Sequence, residues 1–258
     1  MTALVGDYYI ACQETFRAST NQANLMVAEF SAYCQDKQSV RILSVGSGIG
    51  LFELPMLRAL QHSQLGVSKF VGLDIDPKAS KVLAEKLNAE FGNHLDFEVF
   101  AEPYQEFSIA KKFDIILFNH VFEYLQADHL KWIKKSMSLL ANDGHILIFS
   151  PLSGGINKYY ADLMPQVNGF APFFAADIER ILGAEKIGFS NQTIMGACDI
   201  SLLSGNNQED KVKLLSFMTQ MDCRAIAQEK QADYIAYYTS LAEQDQDKIP
   251  HPTSFFII

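Results

Sequence analysis

Three glycines at alternate positions, Gly46, Gly48 and Gly50, break the apolar run "RILSVGSGIGLFELPML" at residues 41–57. Glycines this dense cost backbone entropy, so the sequence implies a turn whose main chain something approaches closely. Ser47 lies among them, and Asp74 ends the next apolar run, "KFVGLDI", followed by Ile75 and Asp76. A carboxylate at that place can accept hydrogen bonds from two neighbouring hydroxyls at once. Two histidines stand where an imidazole could contact a substrate or take up a proton: His120 after "FDIILFN", and His251 in "IPHPTS". Glu123 follows His120 at helical spacing, either to hold its other ring nitrogen or to cap a short turn. Tyr8 is a candidate stacking ring. His62, His94, His129 and His145 read as surface or turn residues.

These side chains need a scaffold, and the hydrophobic pattern supplies one. "RILSV", "KFVGLDI", "DFEVF", "FDIILFN" and "HILIFS" read as short buried strands. Between them "LFELPMLRAL", "DPKASKVLAEKLNAEFG" and "ADHLKWIKKSMSLLAND" read as helices. The first bends or restarts at Pro55, Asp76 caps the second ahead of Pro77, and Gly144 stops the third. Such alternation predicts a doubly wound parallel sheet with right-handed crossovers. Residues 7–36 carry a helical rhythm. "KIGFSNQTIMGACDISLL" reads as two short strands, with helices after it near 208–221 and 223–243 and "PTSFFII" as a closing strand.

Composition narrows the function. With 258 residues, 48% of them apolar and 20% charged, the chain can bury one large core. A net charge of −9 argues against nonspecific nucleic-acid binding, so the partner expected is a small molecule. Cys12, Cys34, Cys198 and Cys223 are scattered, which suggests neither a metal site nor a disulfide framework. "MTALVGDYY" does not read as a signal peptide, and no run nears the roughly 18 apolar residues of a membrane span. A cytoplasmic protein with no membrane partner is expected.

Two ligands, or none, suit the glycine turn. It is a tight strand-to-helix connection alone, or a dinucleotide fingerprint with its third glycine one position early, or a loop for S-adenosylmethionine. The last needs bare backbone against the methionine part and ribose, and an acid for the ribose hydroxyls. "FDIILFNHVFEYL" and the later "LLANDGHILIF" then weigh in, because glycine loop, strand-end acid and these two motifs together resemble the class I methyltransferases. That resemblance implies S-adenosylmethionine as cofactor, S-adenosylhomocysteine as product, and an α/β Rossmann-like sheet of seven strands with a small helical substrate or lid region. Gly46, Ser47, Gly48, Gly50, Asp74, Ile75, Glu102 and Asn119 would then hold the cofactor.

"YYIACQETFRAST", "SGGINKYY", "DISLLSGNNQEDKVKLLSFMTQ" and "TSFFII" extend the likeness, and the chain is similar to the histamine N-methyltransferase family. This implies a monomer with a lid over 1–38, a cofactor core over 39–150, and a substrate insert with the closing strands over 151–258. Where that family anchors its acceptor with Glu, Gln and Asn, this chain has Asn21, His120 and His251, while Tyr8 keeps an aromatic ring. The expected reaction is N-methylation of a small imidazole or amine, with a thiohistidine-type histidine derivative favoured over histamine. Small-molecule O- or C-methylation, or cofactor binding without turnover, are the alternatives.

Overall fold

The computed structural model describes residues 4, 6–63, 65–125, 128–162, 172–242 and 247–258. The apolar runs form β1 (Ser39–Val45), β2 (Gly66–Asp74), β3 (Phe97–Ala101), β4 (Phe113–Asn119) and β5 (Leu140–Pro151). β6 (Ser190–Asp199) and β7 (Lys248–Ile257) complete one seven-stranded sheet, ordered β3-β2-β1-β4-β5-β7-β6. β1 pairs in parallel with β2 and β4, β2 with β3, and β4 with β5. Ile146 and Ile258 exchange both backbone hydrogen bonds, at 2.9 and 3.0 Å, the signature of an antiparallel pair. β7 therefore runs against β5, and the sheet is the mixed Rossmann-like sheet of the expected class. Burial explains the apolar runs: Ile115, Ile116, Leu117 and Phe118 of the central β4 are all inaccessible.

The N-terminal segment forms two helices, α1 (Gly6–Ser19) and α2 (Gln22–Cys34). α3 (Glu53–His62) and α4 (Pro77–Glu90) follow β1 and β2, and α5 (His129–Leu139) precedes β5. Pro55 falls in the first turn of α3, where a missing N–H costs no helical bond, so α3 begins ahead of the proline instead of restarting at it. Asp76 caps α4, its carboxylate accepting from Lys78 N at 2.9 Å. α5 ends at Leu139 instead of running to Gly144, because Leu140 is already extended and pairs with Phe113. Residues 141–144 then bulge out before His145 pairs with Ile115. A Cβ on Gly144 would lie 2.7 Å from the Phe113 carbonyl, so the glycine serves this bulge. Likewise β6 is one strand, not two.

The chain divides into two compact units. One comprises 26–150, 173–193 and 254–258; the other comprises 1–25, 151–172 and 194–253. The second is packed around Tyr159, Tyr238, Leu214, Leu215 and Cys223. Among the described residues no helix is long and apolar enough to cross a membrane. All four cysteines are buried free thiols.

Candidate active site

At the end of β1 the chain turns through Gly46, Gly48 and Gly50 with φ of 70°, 52° and 81°, a left-handed backbone that other residues adopt only with strain. Leu73 O at the end of β2 accepts from Gly46 N (2.7 Å) and Ser47 N (3.1 Å), which pins the turn to the sheet. The three glycines do different work. A Cβ at Gly46 would come 2.5 Å from Val121 Cγ2, and one at Gly50 would come 2.6 Å from Leu83 Cδ1. A Cβ at Gly48 would meet nothing within 4 Å. Gly46 and Gly50 are therefore packing glycines, and Gly48 offers bare backbone to open space.

Asp74 faces the same turn. Its Oδ2 accepts from Gly48 N at 2.7 Å and its Oδ1 from Asp76 N at 2.9 Å. A carboxylate has about four lone-pair positions, so two remain for ligand hydroxyls. Ile75 beside it is 71% exposed and leaves an apolar side chain at the mouth of the turn. Ser47 is buried, with its Oγ lacking a hydrogen-bond partner. Glu102, after β3, is half-buried.

β4 delivers the other half of this constellation. Asn119 Oδ1 is buried and unpartnered. His120 is left-handed, φ 54°, and its N–H donates to Phe149 O at 3.0 Å, so the strand-end geometry is fixed by β5. His120 Nδ1 lies 2.9 Å from Glu123 Oε1. His120 Nε2 and Glu123 Oε2 are buried without partners. Since Val121 packs on Gly46, the His120 loop and the glycine turn form one surface. Four buried polar atoms without partners here, on Ser47, Asn119, His120 and Glu123, are what a polar ligand would satisfy.

The remaining candidates belong to the other unit. Tyr8 lies under the Arg224 guanidinium, 3.5 Å from ring centre to Cζ, with its hydroxyl 3.5 Å from Ser216 Oγ. Burial pushes its phenol up to about 12, so it stays neutral. Asn21 Oδ1 accepts from Ala197 N at 2.8 Å, while Asn21 N donates to Ala197 O at 3.2 Å. His251 is buried, its Nδ1 2.9 Å from Thr20 Oγ1 and its ring edge-on to Phe16 at 5.4 Å.

Two of the histidines read as surface or turn residues, His129 and His145, are half-buried. His129 stacks on Phe173 at 3.8 Å and its Nε2 lies 3.0 Å from Phe122 O. His145 Nδ1 lies 2.7 Å from Tyr33 Oη. Burial holds both imidazoles below their ordinary range. Sequence reasoning also missed Glu53, only 2% exposed, whose Oε1 accepts from Ser44 Oγ at 2.8 Å just behind the turn. An acid inside "GLFELPML" is the signal that pointed to it.

Comparison with known proteins places this geometry. A family model described as "Methyltransferase domain" matches residues 16–193. The malonyl-[acyl-carrier protein] O-methyltransferase 1 of Ilyobacter polytropus is 28% identical over 136 residues, 53% of this chain and 46% of that protein. The ribosomal protein L11 methyltransferase of Aquifex aeolicus is 33% identical over 126 residues, 46% of each. The chain thus spans about half the length of these curated relatives. Among solved structures, the plantazolicin methyltransferase BpumL, crystallised with a monoazolic desmethylPZN analog and SAH, superposes with a TM-score of 0.53 at 17% identity. The match covers 96% of this chain and 86% of that one. With an open glycine turn, a strand-end acid and this family match, the chain belongs to the methyltransferase-domain family.

Proposed function

We propose that this enzyme methylates a nitrogen of a small imidazole or amine, and that His120 receives the proton the nitrogen gives up. The carrying observation is His120 Nε2, a buried ring nitrogen without a partner, in a loop packed against the glycine turn. The residues present fit the cofactor. Gly48 leaves room along its backbone, Asp74 keeps lone pairs for ribose hydroxyls, Ile75 offers an apolar face, and Ser47 and Asn119 supply unsatisfied polar atoms. Bound there, S-adenosylmethionine supplies a methyl carbon activated by its sulfonium. The protein's part is to hold the acceptor nitrogen in line, keep water out and accept a proton, work done by position more than by acid–base strength. His120, half-buried beside Phe122 and Asn119, is equipped for that last task.

The acceptor is proposed to be a histidine derivative in preference to histamine. Support comes from the sequence, which has the neutral Asn21 where the resembled family carries a carboxylate for the substrate cation. Neither histidine is offered here as a cation for an acceptor carboxylate. His120 already faces Glu123, and His251 already faces Thr20. The group presented to His120 should instead carry an N–H.

The test is transfer from S-[methyl-13C]adenosylmethionine to histamine, histidine and thiolated histidines, with the product located by NMR. Label on nitrogen, with histidine derivatives outrunning histamine, supports the reading. Label on oxygen or carbon, or efficient histamine methylation, overturns it.

A further inference from the structure

The unassigned residue at this site is Glu123. We infer that Glu123 is a positioning residue that fixes the tautomer of His120, so that Nε2 is always the bare nitrogen offered to the acceptor. The inference rests on the proposed role of His120 and names what enforces it.

An ionised carboxylate only accepts hydrogen bonds. With Glu123 Oε1 2.9 Å from His120 Nδ1, the proton of a neutral imidazole belongs on Nδ1. Nε2 then carries the lone pair, and it is the ring nitrogen left unpartnered. The backbone that carries both side chains is held in place. The His120 backbone is held left-handed by its bond to Phe149 O. Glu123 sits in a 3-10 turn, Phe122–Tyr124, whose Phe122 is wholly buried and packs edge-on to Phe118 at 5.0 Å. His129 Nε2, 3.0 Å from Phe122 O, fastens the same turn from α5. A non-glycine residue at positive φ next to a ligand surface is the kind of strain that persists where geometry serves function.

The step balances as follows. The acceptor nitrogen's lone pair forms the new N–C bond while the C–S bond breaks, its electron pair remaining on sulfur. The proton that the methylated product sheds, from the same nitrogen in an amine or from the other ring nitrogen in an imidazole, passes to His120 Nε2, and the resulting imidazolium is compensated by the Glu123 carboxylate. Glu123 Oε2, also buried and unpartnered, lies on the same side chain as a second acceptor for the incoming N–H group. The unpartnered His120 Nε2 and Glu123 Oε2 suit this end of the site to an acceptor that donates hydrogen bonds.

The experiment has two readouts. The first is the nitrogen spectrum of the full chain labelled with 15N-histidine, at about pH 8 where an ordinary imidazole is neutral, with His120 assigned by His120→Gln. Wild type should show protonated Nδ1 and bare Nε2. Glu123→Gln, whose amide oxygen still accepts, should keep that tautomer, and Glu123→Ala should lose it. The second is steady-state transfer to the best acceptor of the histidine panel. Glu123→Ala should lower kcat at least tenfold with KM within twofold, and Glu123→Gln should recover part of the loss. A wild-type His120 protonated on Nε2, or a Glu123→Ala protein with unchanged tautomer and kcat, overturns the inference. Failure of every acceptor in the panel would count against the proposed function, while the tautomer would still decide the role of Glu123.

Discussion

Gly48 and Gly46 offer a sharp contrast, because their backbones are alike and their surroundings are not. Replacing either by alanine forces an L-residue into left-handed geometry, at about 1–2 kcal/mol. At Gly48 that is the whole structural cost, since the new methyl meets nothing within 4 Å. At Gly46 the methyl would sit 2.5 Å from Val121 Cγ2, on a stiff β-branched side chain, which adds roughly 1–3 kcal/mol of overpacking. At roughly 2–4 °C per kcal/mol for a chain of this size, Gly48→Ala should lower Tm by about 2–8 °C and Gly46→Ala by about 4–20 °C. Binding should rank the other way for its cause. The Gly48 methyl enters the space proposed for the cofactor, so affinity for S-adenosylhomocysteine should fall at least tenfold, about 1.4 kcal/mol, in a protein that remains folded. Scanning fluorimetry and titration calorimetry on the same preparations measure both. Gly48→Ala binding S-adenosylhomocysteine as wild type does, or Gly46→Ala melting no lower than Gly48→Ala, would refute the division of labour among the glycines.

Asp74→Ala should weaken S-adenosylhomocysteine binding by about 1.5–3 kcal/mol, roughly 10- to 150-fold by calorimetry, through loss of charged hydrogen bonds; unchanged affinity would remove Asp74 from the site. Deleting residues 250–258 removes most of a strand flanked by β5 and β6, and should abolish cooperative melting; a soluble truncation with the wild-type Tm would contradict the sheet order. His129 and His145 have imidazoles depressed in the fold, so the unfolded chain binds protons more readily below about pH 6.5. Stability should therefore hold above that pH and decline as pH falls through it, and His129→Gln should flatten part of the decline in a Tm-against-pH series. An unaltered slope would mean His129 is not held neutral.

What was legible in the sequence was local. The run of alternate glycines, the acid ending β2 and Asp76 as the cap of α4 are marked by neighbouring residue types, where turn and cap chemistry decide. The His120–Glu123 spacing was visible, but which of two roles it served needed the coordinates. Distant partners hid the rest. β5 begins at Leu140 because Phe113 pairs with it, which no helical periodicity reveals. "KIGFSNQTIMGACDISLL" reads as two short strands, yet β6 is continuous through Gly196, a glycine because a Cβ there would be 2.9 Å from His251 O on β7. α1 and α2 separate at Thr20, which bridges to Cys198 and binds the His251 ring. His129 and His145 owe their burial to Phe173 and Tyr33, far off in sequence.

The most direct test of the account measures two quantities on His120→Ala: the single-turnover rate of methyl transfer to an accepted imidazole, and the affinity for S-adenosylhomocysteine. Loss of a proton acceptor that does not hold the cofactor should cut the rate by about 10²- to 10⁴-fold and leave affinity within twofold. A rate close to wild type, or an affinity that falls as far as the rate, would contradict the placing of His120 at the reacting nitrogen.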